Sequence, residues 1–545
     1  MCDMRIHLKL VLLATCAVGA CLLSCPLALA AQETSHARLL PSSTGVAFSI
    51  VDFPEWQENI RKTGLSAYFA EDQVRQMIGD IAKVSDDRLG LLTVLRSRLI
   101  RKYATGQVTL SIVPGEESTF LILIDCRDEN SANECTAAIR QTAKDANLEL
   151  SVSASGSQVM ASNRRFASPD QANSLASSER FIATVGKAAG EVSGSLFWMF
   201  VDPLALSDDR DAKPIGNTKL KFPEFARLEK FDTLQALGGV GTVSANNPKM
   251  QMLGFIHAQR PFQRGMRMLD LRNEKSKAKP EWLGNGLSHG FLNVHTDRFL
   301  ESSSTVFDTV VGEGEQGIFE VVLDDLLNDP KGPRVDISNE IMKHLVSPIY
   351  FSTLPNTADG QTVFAIQTSD AATVRRAFEK IFAGDPQAKR FEEQGIVGWQ
   401  VRPKRDQRSN SRSSNGDFAV VLQNGFLIYG PNMKAIQSAW KRSGAKPESW
   451  FTPANTKLLG DKYCFAYSCD LRQLIGSRHD ELKNGRSAGG LGALLRLSNL
   501  DKSLPRMNRS AWPSFESLPN HIRSRLKLLG TTDVDGFKFV VEVVE

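Results

Sequence analysis

Hydrophobic and polar residues in the run 361–382 follow two successive periods, which predict a strand and then a helix. Residues 363–368 are rich in β-forming side chains. Apolar residues then recur at the helical spacing i, i+4, i+7, at Val374, Phe378 and Ile381. Ser369 or Asp370 is placed to accept the free N–H groups of the first helical turn. An amphipathic helix must bury its apolar face, so this run predicts one strand–helix unit packed on a sheet.

The same strand–helix unit recurs along the chain. Between these units lie pairs of strands that are joined by short turns. The sequence predicts such hairpins at 108–124, 239–257, 349–368 and 526–544. From about residue 285 the order of elements starts again. Helices that return between hairpin-linked strands are typical of antiparallel sheets. We therefore predict an α+β fold of two similar halves, each a mainly antiparallel sheet with helices packed on one face.

An export segment is predicted at residues 1–30, which have the pattern of a secretory signal peptide. Basic residues precede the apolar run 10–23, and a small-residue site follows at 28–30. The apolar run is shorter than the roughly 20 residues of a spanning helix, and no second run of that length follows. The mature protein is expected in the periplasm or outside the cell, with no transmembrane helix. A lipid anchor is the alternative, because Cys21 and Cys25 each end a sequence that resembles a lipoprotein cleavage box.

Length and composition predict two domains. The 545 residues exceed what one core usually serves. The polar, Lys-rich run 273–284 is the predicted linker between a first repeat domain at 31–272 and a second at 285–545. Residues 402–416 are predicted to be a disordered basic insertion in the second domain.

The net charge of +4 comes from 65 basic and 61 acidic residues, so no global field attracts nucleic acid. Positive charge is concentrated only locally. The predicted binding residues are Arg402, Lys404, Arg405, Arg408 and Arg412. Clustered arginines make bidentate contacts to carboxylates and phosphates, which indicates an anionic ligand. A solvated loop is the simpler interpretation.

Four cysteines lie beyond the export segment. Cys126 ends a predicted strand and Cys135 lies early in the next helix, so a local disulfide between them is predicted for an oxidising compartment. Cys464 and Cys469 are five residues apart on a predicted strand and face opposite sides, which favours structural thiols.

Two short motifs suggest catalysis or cofactor binding, but their surroundings do not fit. Residues 286–290 match G-x-S-x-G, with Ser288 as the potential nucleophile. The residues before it are polar and those after it alternate like a strand, whereas a nucleophile elbow needs a buried strand and then a helix. Residues 312–317 match G-x-G-x-x-G, but a helix precedes them and two glutamates would repel a phosphate. His289 and His295 have no metal-site spacing. No cofactor is predicted.

Recurring acids at strand ends are interpreted as helix caps. They are Asp52, Asp202, Asp297 and Asp470. A carboxylate at this position accepts backbone N–H bonds worth about 1 kcal/mol. Nothing in their spacing predicts that they converge as catalytic carboxylates.

Several runs resemble a group of exported bacterial proteins catalogued only as a domain of unknown function. They are TGVAFSIVDFPEWQENI, SLASSERFIATV before LFWMFVD, LNDPKGPRVDI, and DFAVVLQNGFLIYG with PNMKAIQSAW. The resemblance implies an envelope or secreted location and a duplicated α+β architecture. It implies no catalytic residues.

These features predict a non-enzymatic envelope protein that binds another envelope protein or a polysaccharide. Two alternatives stay open: a serine hydrolase that uses Ser288, and an anionic-ligand protein that uses residues 402–412.

Overall fold

The structure is a computed structural model. It describes residues 35–84, 98–115, 118–145, 148–205, 220–244, 246, 249–275, 288–312, 314–354, 361–393, 396–402, 417–440, 458–484, 509–510 and 512–544. The predicted signal peptide and lipoprotein boxes lie outside these residues. No helix among the described residues is both long and apolar enough to cross a membrane.

Twenty strands are present in the described residues. The first nine are β1 (Val46–Ile50), β2 (Ala104–Val113), β3 (Thr119–Cys126), β4 (Ser151–Ser155), β5 (Gln158–Ser162), β6 (Phe197–Val201), β7 (Leu234–Val243), β8 (Met250–Ala258) and β9 (Glu274–Lys275). The others are β10 (Ser288–Leu292), β11 (Leu345–Thr353), β12 (Thr362–Thr368), β13 (Ala388–Glu393), β14 (Ile396–Val401), β15 (Phe418–Gln423), β16 (Phe426–Gly430), β17 (Lys462–Tyr463), β18 (Phe465–Asp470), β19 (Arg525–Asp533) and β20 (Gly536–Val544).

Eighteen of these strands form one continuous sheet, and every pairing in it is antiparallel. The spatial order is β4–β5–β3–β2–β1–β6–β7–β8–β20–β19–β18–β10–β11–β12–β16–β15–β14–β13. The strands before residue 272 and those after 285 meet where β8 pairs with β20. The predicted antiparallel α+β class is confirmed.

The predicted linker 273–284 begins with β9, which pairs with β17 in a separate two-stranded sheet. Residues 276–284 lie outside the described residues. The domain boundary therefore stays a prediction.

The helices of the first part are α1 (Phe53–Arg61), α2 (Gly64–Ala70), α3 (Asp72–Val84), α4 (Arg98–Tyr103), α5 (Glu129–Asp145), α6 (Glu179–Phe181), α7 (Lys187–Glu191) and α8 (Phe222–Leu228). A π-helical turn, Ile182–Gly186, joins α6 to α7. The second part contains α9 (Phe299–Val310), α10 (Ile318–Asn328), α11 (Ala371–Phe382), α12 (Met433–Trp440) and α13 (Leu471–Lys483).

The strand–helix unit predicted at 361–382 is confirmed as β12 and α11. The side chain of Asp370 accepts hydrogen bonds from the backbone N–H groups of Ala372 at 3.1 Å and Thr373 at 3.0 Å. Val374 and Phe378 are buried on the inner face of α11. The capping residue and the apolar periodicity in the sequence were therefore sufficient to predict this strand and this helix.

Helices cover both faces of the sheet, so the prediction of one covered face is wrong. Ile124 packs with α5, whereas the ring of Trp198 lies 5.3 Å from that of Phe181 in α6. The register places Leu123 in one row with Trp198, so these two side chains point to the same face. Consecutive residues of a strand point to opposite faces, so Ile124 lies on the face opposite to Trp198. We call these the Ile124 face and the Trp198 face. Helix α11 lies on the Ile124 face and α12 on the Trp198 face, as their packing on Trp399 and Ala365 shows.

Two of the four predicted helix caps are confirmed, at Asp52 and Asp470, whereas Asp202 is followed by a turn at 203–205. Asp52, Asp202 and Asp470 each accept backbone N–H groups of the following turn or helix at 2.9–3.1 Å. Asp297 makes no such bond, because α9 begins after Arg298, which is its N-cap residue. The four carboxylates therefore hold local turns in three places and form no shared site.

Glycines in the central strands make room for phenylalanine rings. Phe539 on β20 lies directly between Gly254 on β8 and Gly530 on β19. Its ring is 0% exposed, and a Cβ added to Gly254 would stand 2.3 Å from its Cζ. Phenylalanine side chains that lie over the backbone of glycines thus fill the centre of the Ile124 face.

Candidate functional site

The G-x-S-x-G motif does not form a nucleophile elbow at Ser288. Ser288 is buried and begins β10, where its register partners are Thr353 and Cys469. Both neighbouring strands hydrogen-bond to β10, so Ser288 lies within a sheet rather than on an exposed turn. His289, the next residue, is 0% exposed on the Trp198 face.

The last glycine of this motif has a different structural consequence. Gly290 lies directly between Phe351 on β11 and Tyr467 on β18. Because Gly290 has no side chain, these two rings stack across it with centroids 6.2 Å apart and an interplanar angle of 26°. Phe364 on β12 continues the row, with its centroid 6.5 Å from that of Phe351. We call Phe364, Phe351 and Tyr467 the aromatic strip.

The aromatic strip is partly open to solvent on the Ile124 face. All three side chains are half-buried, unlike Phe539 further along the same face. Phe351 and Phe364 belong to none of the helix-covered hydrophobic clusters of the described residues. Three rings in line on neighbouring strands present an extended apolar surface on the Ile124 face.

A buried hydrogen-bond chain ties the segment before β1 to the sheet. His36 Nε2 lies 2.9 Å from Asp125 Oδ1, and His36 Nδ1 lies 2.8 Å from Thr109 Oγ1. Ser49 Oγ continues the chain at 2.7 Å from Thr109 Oγ1, and Gln107 Nε2 donates to Ser49 Oγ at 2.7 Å. This order resembles the acid–histidine–hydroxyl order of a hydrolytic triad.

The donors of this chain can be assigned from Gln107 onwards. Ser49 accepts from the Gln107 amide, so its hydroxyl is available to donate to Thr109. In the neutral form of His36, Thr109 donates to Nδ1 and Nε2–H donates to Asp125; in the protonated, charged form, Nδ1–H donates to Thr109 and Nε2–H still donates to Asp125. His36, Thr109 and Ser49 are all 0% exposed. A substrate carbonyl has no access to either hydroxyl, so the chain positions residues 35–40 on the sheet instead of catalysing a reaction.

A bulge in β2 brings a further donor to Asp125. The β2–β3 register shifts between Ala104 and Val108, which frees the N–H of Gln107 to bond to Asp125 Oδ2 at 3.2 Å. Burial raises the pKa of Asp125. The hydrogen bond and charge of His36, together with bonds from Gln158 and Gln107, outweigh burial and hold this pKa below its usual value.

Replacing Asp125 by asparagine is expected to reduce the loss of unfolding free energy that occurs as the pH is lowered. A depressed carboxyl pKa stabilises the fold above the unfolded value of about 3.9, and that stability is lost as pH falls through the folded pKa. At pH 7 the variant should lose about 1.5 kcal/mol of unfolding free energy, as expected for a bond to a charged group. Urea unfolding of both proteins at pH 7 and pH 3 measures this. A stability difference that does not narrow at pH 3 would contradict the assignment.

Glu229 is a second buried polar centre, at the end of α8. Its carboxylate is 0% exposed and accepts from Thr305 Oγ1 at 2.8 Å, Gly265 N at 2.9 Å and Arg264 Nη2 at 3.1 Å. Thr309 Oγ1 donates to Oε1, the oxygen that Arg264 also contacts, whereas Thr305 and Gly265 donate to Oε2. With every strong acceptor position used, Glu229 ties α8 to α9 and is not available as a general base.

A pocket of about 290 Å³ lies where α3 meets the segment after residue 509. It is lined by Gln73, Gln76, Met77, Trp512, Pro513 and Ser517. His479 nearby is bonded on both nitrogens, to Tyr68 OH at 2.9 Å and to the Pro513 carbonyl at 2.9 Å. Burial and the charge of Asp480 raise the pKa of Tyr68 to about 12, so it remains a donor. This histidine supports the fold and is not a free base.

Only one of the five predicted basic residues is described. Arg402 follows β14, and its side chain is 73% exposed, with Nε 3.9 Å from Asp417 Oδ2. Lys404, Arg405, Arg408 and Arg412 lie outside the described residues. Val401 pairs with Phe418, so the insertion 402–416 leaves and re-enters the sheet at neighbouring strand ends.

Cys126 and Cys135 are buried free thiols in the structure, and their side chains are in hydrogen-bonding contact. Burial raises the pKa of Cys135 to about 12. The contact brings the two thiols close together. Their oxidation stays a prediction for an oxidising compartment.

No group of three or more His, Cys, Asp or Glu side chains among the described residues is arranged to hold a metal ion. No protein-family model, curated protein or solved structure matches the chain.

Proposed function

We propose that this chain is an exported, non-enzymatic protein of the bacterial cell envelope that binds a polysaccharide through the aromatic strip. The observation that carries the proposal is the row of Phe364, Phe351 and Tyr467 on a partly exposed area of the sheet, in which Phe351 and Tyr467 are stacked and Phe364 is tilted by 40°. The apolar faces of sugar rings stack on flat aromatic side chains, and aromatic residues dominate binding surfaces because they bury large areas. The export pattern of residues 1–30 supports the location.

The burial and full hydrogen bonding of the polar groups described above support a role without catalysis. The hydroxyls of the His36 chain are 0% exposed, and Glu229 is fully bonded. Ser288 lies inside β10. A general base or nucleophile must reach the substrate within hydrogen-bonding distance, and none of these groups is accessible.

Purified peptidoglycan sacculi provide the test. We expect the protein to sediment with sacculi, and a Phe364→Leu, Tyr467→Leu double variant to bind about tenfold more weakly, because each lost stacking contact costs about 0.5–1 kcal/mol. Leucine keeps an apolar side chain at each position, so the sheet is expected to fold.

Phe48→Leu is the matched control, since Phe48 is a half-buried aromatic residue on β1 of the same face, away from the strip. It should bind like the unmodified protein. Equal binding of the double variant and the control would overturn the aromatic-strip proposal. Hydrolysis of sacculi or of an ester, abolished by Ser288→Ala, would replace the binding role by an enzymatic one.

The basic residues predicted at 402–412 support a second candidate, binding of an anionic ligand, because Arg402 is exposed beside the adjacent strand ends at Val401 and Phe418. Retention on heparin that falls steeply with salt and disappears on deletion of 403–412 would favour this candidate. Unchanged retention after the deletion would exclude it.

We also propose that the chain arose by duplication of one half. Outward from the central β8–β20 pair, the first half runs β8–β7–β6–β1–β2–β3–β5–β4. The second runs β20–β19–β18–β10–β11–β12–β16–β15 and then adds β14 and β13. Helix α5 follows β3 as α11 follows β12, and both lie on the Ile124 face. This correspondence in order supports two similar halves with one extra hairpin.

A further inference from the structure

Strand β4 forms one outer edge of the large sheet. Among the described strands it pairs only with β5. Ser151, Ser153, Ala154 and Ser155 are exposed, and Val152 is buried with α5. A strand edge that is accessible to solvent offers its backbone groups to another strand.

The hairpin fixes which backbone groups of β4 point outwards. Ser155 is opposite Gln158, so the loop has two residues, and its first residue, Gly156, has φ +56°. In such a hairpin the closing pair exchanges both hydrogen bonds, and bonded and non-bonded pairs then alternate. Val152 and Ala154 therefore direct their N–H and C=O groups away from β5.

A hydrogen bond from Arg140 to β4 agrees with this assignment. It must also leave the Val152 carbonyl able to pair with another strand. Arg140 of α5 donates to the Val152 carbonyl at 2.6 Å, as expected for a carbonyl that β5 does not use. A carbonyl oxygen has two lone pairs, so the Val152 oxygen can accept a second donor.

The opposite edge of the sheet is built differently. Strand β13 carries Lys389, Arg390, Glu392 and Glu393, and the Arg390 guanidinium lies 2.8 Å from the Glu392 carboxylate and 3.6 Å from Glu379. Charged side chains on an edge strand discourage further pairing. Strand β4 has no charged residue, so the two edges differ in their readiness to pair.

The sequence of β4 indicates which strand fits beside it. Ser151-Val152-Ser153-Ala154-Ser155 has the same alternation of serine and small apolar residues when it is read in either direction. In an antiparallel pair of two such strands centred on Ser153, Val152 lies opposite Ala154 and serine lies opposite serine. Each apolar residue then meets an apolar residue on the same face.

We propose that β4 pairs antiparallel with β4 of a second copy of this chain, centred on Ser153, so that two sheets become one. Val152 and Ala154 form the hydrogen-bonded pairs of this twofold contact, in agreement with their outward backbone groups. The two Ser153 residues form a non-hydrogen-bonded pair with Cα atoms about 4.5 Å apart. The proposal does not depend on the aromatic strip or on any ligand.

Five residues from each copy make a small interface, well below the roughly 1,200 Å² of stable protein complexes. The dimer should therefore form reversibly and increase with protein concentration. Light scattering on the unmodified protein over a range of concentrations measures this, and a protein that stays monomeric at about 1 mM would overturn the proposal.

Cysteine cross-linking tests the register. Ser153→Cys places two thiols opposite each other within the Cα separation that a disulfide needs. In Ser155→Cys, the matched control, the two thiols are offset by four residues, or about 13 Å along the strand. Under mild oxidation we expect the Ser153→Cys protein to form a covalent dimer at least tenfold faster. Equal rates, or faster cross-linking of Ser155→Cys, would overturn the proposed pairing.

Ala154→Pro added to Ser153→Cys removes an outward N–H group and should abolish the covalent dimer, with the circular dichroism spectrum unchanged. Retained cross-linking in that folded variant would contradict the pairing through Ala154. If the proline variant does not fold, the comparison of the two cysteine variants still decides the register.

Discussion

Gly254→Ala is expected to reduce the free energy of unfolding by about 3 kcal/mol, which is at the upper end of overpacking effects in protein cores. The new Cβ would stand 2.3–2.8 Å from three carbon atoms of the Phe539 ring. That ring is 0% exposed, so it cannot move aside into solvent without leaving the core. Chemical unfolding monitored by circular dichroism measures the loss.

A double-mutant cycle with Phe539→Leu separates this clash from other effects of alanine. The smaller leucine should relieve the contact, so the double variant should be more stable than the sum of the two single losses predicts. Gly190→Ala is the control, because a Cβ at Gly190 of α7 meets nothing within 4 Å. It should be neutral or stabilising by up to about 1 kcal/mol. Additive losses in the cycle would show that the Phe539 ring is not the cause.

Glu229→Gln is expected to cost about 3 kcal/mol of unfolding free energy. Four donors converge on the carboxylate, and the amide replaces one acceptor oxygen by a donor. The Arg264 guanidinium, 3.1 Å from Glu229 Oε1, also loses its charged partner. Removing one member of a buried ion pair typically costs about 3–5 kcal/mol, and the lower end applies here because the Arg264 side chain is 33% exposed and water can partly compensate its charge.

Glu301→Gln is the matched substitution on the neighbouring helix α9. The Glu301 side chain is 64% exposed and pairs with Arg267 at the surface. Exposed ion pairs are worth little, so the control should change stability by less than about 0.5 kcal/mol. A loss at Glu229 as small as that at Glu301 would show that the buried network does not stabilise the fold.

The local elements of this fold were predictable from sequence, because their signals lie within a few residues of each other. Asp370 and the apolar positions of α11 are adjacent in the chain, and the hairpins need only a turn between alternating strands. The strand order was not predictable, because β1 lies between β2 and β6 and β8 pairs with β20. Such pairings depend on packing of distant segments.

One signal for helices on both faces was present in the sequence. All five residues of β6, FWMFV, are buried, and an uninterrupted apolar run of this kind is typical of a strand that is covered on two sides. The return of helices between hairpin-linked strands led to the wrong expectation of one covered face.

The candidate site depended on long-range contacts. His36 and Asp125 are 89 residues apart in sequence, and no motif links them. Gly290 was part of a recognisable motif, but the motif indicated a serine nucleophile. Its structural role depends on Phe351 and Tyr467, which only the strand register brings to either side of it.

The pairing of β8 with β20 has a consequence for the order of events during biosynthesis. Strand β20 is the most C-terminal strand described, yet it occupies the middle of the sheet. The ribosome must therefore reach residue 544 before the two groups of strands can join, and a chain shortened by its last ten residues would leave β8 and β19 as unpaired edges. Until β20 has been synthesised, the centre of the sheet stays incomplete, although every strand on either side of it already exists in the chain.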